Sequence, residues 1–232
     1  MLALEANRFE TLGRFVSGML HDLSTPLSVI NSYIELIQSD PERRNLERKL
    51  EVMQTQTKHC SDVVRSAMNF LRHESSRMVA LSMNEVIHAC LGVSMPVLFR
   101  QEITVERDLA EDLPPCRGDF VLVRQAILNL ITNAAQAMEG QELPAELHIT
   151  TSYEDEHICV TVRDTGPGIP DEIRERVFDT FFSTKGNKGT GLGLAAVFHI
   201  MKRHGGSVQF ERASEGRGEQ IILCFPLETS IV

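Results

Sequence analysis

The sequence predicts an α+β fold in two parts. The first is an antiparallel helical hairpin that pairs with a second copy into a four-helix bundle; the second is an α/β sandwich. Three observations carry this expectation. Over the first third, apolar residues recur at alternating spacings of three and four. That period stops in the stretch H-E-S-S-R at residues 73–77. Beyond it, strand-like alternation and helix-like segments follow one another, as in a sheet with helices on one face.

The first helical seam runs Phe9, Leu12, Val16, Met19, Leu23, Pro26, Ile30, Tyr33 and Ile37. The second runs Leu46, Leu50, Met53, Thr57, Cys60, Val64, Ala67 and Leu71. Ser39, Asp40 and Pro41 separate them. Ser39 or Asp40 is expected to cap the second helix, with Pro41 in its first turn, where a missing N–H costs little. A short turn between two long helices makes an antiparallel hairpin. Each seam buries only one stripe, so a second copy is the expected way to close a core. We place the hairpin domain at residues 1–76 and the second domain at 77–232, with a linker near His73 to Met78.

In the second part, Asn84 to Leu91 reads as a short helix and Glu102 to Leu109 (E-I-T-V-E-R-D-L) as a strand. Pro114 and Pro115 mark a loop, and Asp119 is placed to cap a helix reaching about Met138. Leu147 to Tyr153 and Ile158 to Arg163 read as a hairpin of strands. A helix is expected from Leu192 to His204, and closing strands at 207–211 and 220–225. No internal repeat or low-complexity tract interrupts this order.

Composition narrows the function. The chain has 232 residues, 42% hydrophobic and 24% charged, which suits a globular protein with a sizeable core. Its net charge of −9 is a poor match for duplex nucleic acid, which needs a basic face. Trp is absent and Tyr numbers two, so stacking on single strands has little to work with. No apolar run approaches the roughly 18 residues a membrane span requires, so no direct membrane insertion is expected. Glu5 and Glu10 interrupt any signal-peptide-like apolar core, and a cytoplasmic location is expected. The five cysteines (Cys60, Cys90, Cys116, Cys159, Cys224) are scattered, odd in number and without a C-x-x-C pair. They are expected to be small buried hydrophobes in a reducing compartment.

His21 falls at an outward-facing heptad position, one turn before the helical Pro26, in the stretch H-D-L-S-T-P-L. A Pro inside a helix bends it at a cost of about 3 kcal/mol. A neutral imidazole is a nucleophile near neutral pH, and the adjacent Asp22 can orient its other nitrogen or accept its proton. An ordinary surface histidine is the competing reading.

Four motifs follow. In N-L-I-T-N-A-A-Q-A-M (residues 129–138), Asn129 and Asn133 share one helix face and can hold Mg²⁺ in company with phosphates. In D-T-G-P-G-I-P (164–170), Asp164 ends a strand and can accept from an exocyclic amine such as that of adenine, while Gly166 and Gly168 let the backbone come close. F-D-T-F-F-S-T-K (178–185) could hinge a lid and ends on the basic Lys185. G-T-G-L-G-L (189–194) opens a helix, where Gly189, Gly191 and Gly193 free backbone N–H groups for phosphate oxygens. Taken singly, each also fits ordinary structure: a solvated Asn pair, a turn, core phenylalanines, a loop.

Together, in this order, they resemble the catalytic core of a bacterial sensor histidine kinase of two-component systems. H-D-L-S-T-P-L resembles the family's histidine box, residues 129–138 its N box, and D-T-G-P-G-I-P and G-T-G-L-G-L its two glycine boxes. The phenylalanine motif lies between those two. H-G-G (204–206) and G-R-G-E-Q-I-I-L-C-F-P (216–226) are similar to the family's ending. The spacing is most similar to kinases of the nitrogen-regulation type.

The resemblance implies a HisKA-type dimerisation and phosphotransfer hairpin and a Bergerat-fold ATP-binding domain. It implies that His21 takes the γ-phosphoryl group of ATP, that Asp22 serves the ring, and that Asn133 coordinates Mg²⁺ with Asn129 helping at the phosphates. Asp164 would bind the adenine amine, Gly166 and Gly168 would shape its pocket, and Gly189, Gly191, Gly193 and Lys185 would serve the phosphates. Implied partners are a second copy, the receiver domain of a response regulator, and an upstream sensor domain or protein. Thr25 keeps a phosphatase activity toward that regulator open. Three positions depart from the pattern: Asp22 stands where Glu is commoner, Ser24 where a basic residue is frequent, and Gln136 where Lys often stands.

Two rivals share some of these features. ATPases of the same nucleotide fold usually carry a Glu for water activation where Asn129 stands here. A phosphotransfer or scaffold protein with a decayed ATP domain would have lost Asn133, Asp164 and the glycine boxes, which are intact.

Overall fold

The computed structural model describes residues 20, 23–40, 44–71, 77–141, 144–179, 182–184, 191–212 and 217–227. The chain divides into two compact units. Met1–Glu74 with Asp179–Leu192 form one, and Ser75–Phe178 with Gly193–Val232 form the other.

In the helical unit, α1 covers residues 23–38 and α2 covers Leu46–Leu71. Along α1, Pro26 is buried and Leu23, Ile30, Tyr33 and Ile37 are half-buried, the stripe that the first seam predicts. The Ser24 and Ser28 hydroxyls donate to the carbonyls of Leu20 and Ser24, at 2.7 and 2.8 Å. On α2 the packed stripe keeps Leu46, Met53 and Cys60 of the predicted seam, all half-buried, and departs from it elsewhere. Val63 is buried and Val52, Gln56 and His59 are half-buried, whereas Leu50 and Val64 are 49% and 46% exposed. A straight helix drifts about 20° per heptad against a 3.5-residue repeat. The stripe that packs within one hairpin is therefore not the whole heptad set. In the turn, the Asp40 carboxylate accepts from the Arg44 N–H at 2.9 Å and from Lys49 Nζ at 3.0 Å, and Pro41 lies outside the described residues. Asn45 is left-handed (φ 55°), and α2 starts at Leu46.

The α/β unit contains β1 (Val79–Leu81), α3 (Met83–Arg100), β2 (Thr104–Leu109), β3 (Cys116–Gly118), α4 (Phe120–Ala137), β4 (Glu146–Glu154) and β5 (His157–Asp164). A 3₁₀ turn (Asp171–Arg176), α5 (Gly193–Arg203), β6 (Ser207–Arg212) and β7 (Glu219–Pro226) follow. The main sheet has the order β2-β4-β5-β7-β6; β2 pairs with β4 in parallel and the other pairs are antiparallel. β1 and β3 form a separate two-stranded sheet.

Alternation along the strands sets one face of the sheet against the helices. Leu147, Ile149, Ile158, Val160, Val162, Leu223 and Phe225 share one core with Ile87, Ile127, Leu130, Ile131 and Ile200 of α3, α4 and α5. Fully burying an Ile or Leu side chain contributes about 1.5–3 kcal/mol, so this face holds the layers together. The opposite face is half-exposed.

Three local differences from the sequence have physical causes. α3 is longer than the helix expected at 84–91, running on through Gly92 and Pro96, because Leu91 and Leu98 extend the buried face past those breakers. Packing outweighs local propensity there. β1, β3 and the 3₁₀ turn are too short to carry a period. Finally, Cys159 and Cys224 correct the reading of all five cysteines as buried hydrophobes: they are directly paired across β5 and β7, with Cα atoms 4.1 Å apart, and form a disulfide. Register brings them together across 65 residues of sequence, which spacing alone does not reveal. Cys90 and Cys116 are buried, and burial pushes the Cys90 thiol up to about 12.

Candidate nucleotide-binding site

α4 is the spine of the site. Its N-terminus is capped by Asp119, whose Oδ1 accepts from the Val121 and Leu122 N–H groups at 2.9 and 3.2 Å. Behind the cap, the Asp119 N–H donates to His204 Nε2 at 3.0 Å, and His204 Nδ1 lies 2.7 Å from the Ile200 carbonyl. An acceptor at Nε2 requires the proton on Nδ1, so the ring is a neutral tautomer with both nitrogens used. Burial pulls its pKa below the ordinary value.

Asn129, Asn133 and Ala137 are four residues apart and form one stripe on α4. This stripe meets both glycine segments. Asn129 Nδ2 donates to the Gly193 carbonyl at 3.1 Å. A Cβ on Gly193 would stand 3.5 Å from Asn133 Nδ2 and 3.6 Å from its Oδ1. Four residues on, a Cβ on Gly166 would stand 3.2 Å from the Ala137 Cβ.

β5 delivers Asp164 to the edge of the core, 8% exposed. Its Oδ1 accepts from the Gly166 N–H at 2.8 Å, which fixes the carboxylate's orientation. Thr165 ties the same loop to β4: its Oγ1 accepts from the Glu146 N–H at 2.9 Å and donates to the Pro144 carbonyl at 3.1 Å. Gly168 is left-handed (φ 75°), as is Gly218 (φ 86°) in the turn before β7. A side chain at Gly218 would run into the Asp164 carbonyl oxygen. Glu219, only 3% exposed, accepts from the Ile169 N–H at 2.9 Å and from Arg174 Nη2 at 3.0 and 3.1 Å. Burial raises its pKa, partly offset by those two donors.

The remaining sequence-predicted residues fall elsewhere. His21, Asp22, Lys185 and Gly189 lie outside the described residues. Thr25 is exposed on α1, and Gly191 is left-handed (φ 62°) and half-buried. Asn129, Asn133 and Gly193 are brought together, as are Asp164, Gly166 and Gly168. Sequence reasoning assigned no role to His204, Gly218, Glu219 or Arg174. The H-G-G and G-R-G-E stretches were the signals available.

Chemically, the site offers a buried, oriented carboxylate on one glycine loop and two carboxamides against the start of α5. An amide oxygen is a hard donor suited to Mg²⁺, which takes few protein ligands and completes its shell with phosphates and water. Among the described residues no group of three or more His, Cys, Asp or Glu could hold a metal by itself. The Asn133 carboxamide, beside Gly193, has the donor chemistry of a single protein ligand to a phosphate-bound cation.

Residues 118–229 match the family described as histidine kinase-, DNA gyrase B- and HSP90-like ATPase. Residues 11–76 match the His Kinase A (phospho-acceptor) domain. The chain belongs to the sensor histidine kinase family. Among its curated relatives in that family, the C4-dicarboxylate transport sensor protein DctS of Rhodobacter capsulatus is 30% identical over 228 residues, 95% of this chain and 35% of that protein. The chain spans about a third of the length of the first curated relatives it matches, 35% and 36%. The catalytic domain of histidine kinase ThkA superposes on 65% of this kinase core with a TM-score of 0.57 and 29% identity, over 97% of that domain. ThkA in a complex with the response regulator protein TrrA gives a TM-score of 0.78 over 98% of this chain and 65% of that one, at 20% identity, which speaks to the fold. Among the described residues of this kinase core, no helix is long and apolar enough to cross a membrane.

Proposed function

We propose that the chain is the ATP-dependent autokinase core of a two-component sensor, phosphorylating His21 and passing the phosphoryl group to an Asp of a response regulator. One observation carries the nucleotide half. A single face of α4 sets Asn129 and Asn133 against Gly193 and Ala137 against Gly166, so both glycine segments are mounted on one helix. The hairpin half rests on the phospho-acceptor match over residues 11–76, which contain H-D-L-S-T-P-L. We take residues 1–76 as the phosphotransfer domain and 77–232 as the ATP-binding domain.

Asp164 accepts from the exocyclic amine of adenine, and Gly166 and Gly168 leave room for the ring. Asn133, with Asn129 beside it, would hold Mg²⁺, which would neutralise phosphate charge. Gly189, Gly191, Gly193 and Lys185 serve the phosphate end, where glycines at the start of α5 bare backbone N–H groups. His21 Nε2 attacks the γ-phosphorus, the bond to the bridging oxygen breaks, and ADP leaves. Asp22 accepts the proton released from Nδ1. The phosphoryl group then passes from nitrogen to a carboxylate oxygen of the regulator. Thr25, which is exposed on α1, orients a water for dephosphorylating that regulator.

Leu27, Leu36, Leu50 and Val64 are exposed on the hairpin, and a second copy covers them in a homodimer. The length of the relatives supports an upstream sensor, with this core in the cytoplasm.

The test is incubation with γ-labelled ATP and Mg²⁺, for wild type and His21→Gln, followed by acid and alkali. The expected result is label on wild type only, lost in acid and kept in alkali. Acid-stable label, or equal label on His21→Gln, would sink the assignment. Absence of both label and ATP binding would favour a scaffold.

A further inference from the structure

The loop that carries Asp164, Gly166 and Gly168 is held by side chains of its own only at its start, by Asp164 and Thr165. Gly166 and Gly168 have none, and Pro167 and Pro170 lack a backbone N–H. Yet its far end is fixed by charged groups from outside it. Glu219 opens β7, and its carboxylate is almost wholly buried. Burying a carboxylate is unfavourable unless it is paired and hydrogen-bonded. Here Oε2 accepts from the Ile169 N–H at 2.9 Å, and Arg174 Nη2 reaches both oxygens at 3.0 and 3.1 Å. Arg174 also donates from Nε to the Ile169 carbonyl at 3.3 Å and lies 3.2 Å from Asp171 Oδ1. Both polar groups of the Ile169 backbone are thus held by one ion pair. Gly168 lies against the same structure: a Cβ there would be 3.1 Å from the Gly218 carbonyl and 3.6 Å from Glu219 Oε2.

We propose that Glu219 and Arg174 are a positioning pair for nucleotide affinity, clamping the Asp164–Pro170 loop in the shape that receives the purine. This rests on the reading of that loop as the adenine site. The pair acts through the loop backbone, not on the phosphates. Its loss is therefore felt in ATP binding and KM, with the saturating rate of phosphorylation spared.

The experiment uses the full chain with Glu219→Gln, Arg174→Met, the double variant, Arg174→Lys, and Asp164→Asn as the control on the loop itself. Mg-ATP dissociation constants, KM, saturating autophosphorylation rate and melting temperature are measured for each. Removing one partner of a hydrogen-bonded charged pair should weaken ATP binding about ten-fold or more. The double variant should bind ATP no worse than the poorer single variant, as expected of two groups acting as one unit. Arg174→Lys should recover part of the loss. If Arg174→Met and Glu219→Gln lower the melting temperature but leave KM unchanged while Asp164→Asn abolishes binding, the pair is merely structural and the proposal is overturned. If Glu219→Gln does not fold, the Arg174→Met and Arg174→Lys comparison decides by the same criterion. If Asp164→Asn also binds ATP normally, the adenine reading of the loop falls, and the clamp falls with it.

Discussion

Asn129 is hydrogen-bonded to Gly193: its side-chain amide donates to the glycine carbonyl at 3.1 Å and ties α4 to the first turn of α5. Asn129 is thus a mount for the start of α5, the segment proposed to receive phosphate, as well as a polar group beside it. Asn133, one turn on, faces the same glycine, which separates the roles of the two asparagines.

For Asn129→Ala, the lost bond contributes about 1 kcal/mol, so ATP affinity should fall roughly five-fold with or without Mg²⁺. Asn133→Ala should weaken binding of Mg-ATP while leaving the affinity for metal-free ATP, measured in chelator, near wild type. Equal effects of chelator on both variants would remove Asn133 from the cation. Fluorescent-nucleotide titration reads both.

The glycines should rank by what their missing side chains would meet. Gly218→Ala drives a methyl into the Asp164 carbonyl at a left-handed residue. Overpacking and the φ penalty together amount to about 2–5 kcal/mol. Gly193→Ala meets only Asn133 at ordinary contact distance. Urea denaturation should therefore show Gly218→Ala strongly destabilised and Gly193→Ala neutral or slightly stabilised. The reverse order would contradict the packing described for the two loops.

How much of this was visible in the sequence depends on the range of the interaction. Asp119 as a cap, the extent of α4 and the strands around Asp164 are local in origin, set by period and by the residue at the helix start, and they stand where the sequence put them. Asn129 and Asn133 were legible as a pair because helical spacing alone puts them on one face. Their contact with Gly193 was not, since it joins segments 64 residues apart. The same holds for Glu219 with Arg174, which joins the start of β7 to the 3₁₀ turn, and for Cys159 with Cys224, which strand register brings together across the sheet. α3 runs on beyond the helix expected at 84–91, through Gly92 and Pro96, residues whose local cost is met by tertiary burial.

The hairpin should dissociate without harming the nucleotide site. Leu50 and Val64 are about half exposed in a single chain, and covering apolar area of this kind drives association. The double variant Leu50→Glu, Val64→Glu should shift the protein from dimer to monomer in sedimentation while ATP affinity stays within about two-fold, since Leu50 and Val64 belong to the helical unit and Asn129, Asp164 and Gly193 to the other. A variant that remains dimeric would place the interface on another face of the hairpin.

Stability should fall in mild acid through His204. Burial lowers its pKa from the ordinary 6.5, with the Ile200 carbonyl and Asp119 opposing that shift and Arg203 assisting it. The native state then binds fewer protons than the unfolded chain. Its contribution is complete above about 6.5 and is lost as pH falls through the lowered native value. Protonation also places a hydrogen on Nε2, where the Asp119 N–H now donates, and so breaks the link between α5 and the start of α4. Glu219 has the opposite sign, because its raised pKa favours the native state at low pH. The difference between wild type and His204→Gln isolates the histidine, since Glu219 is common to both. That difference, from urea denaturation, should shrink as pH falls below about 6.5, and an NMR titration of the His204 ring should give a value under the ordinary one. A difference that holds constant with pH, or a ring that titrates normally, would show that the Asp119 contact does not depend on the neutral imidazole.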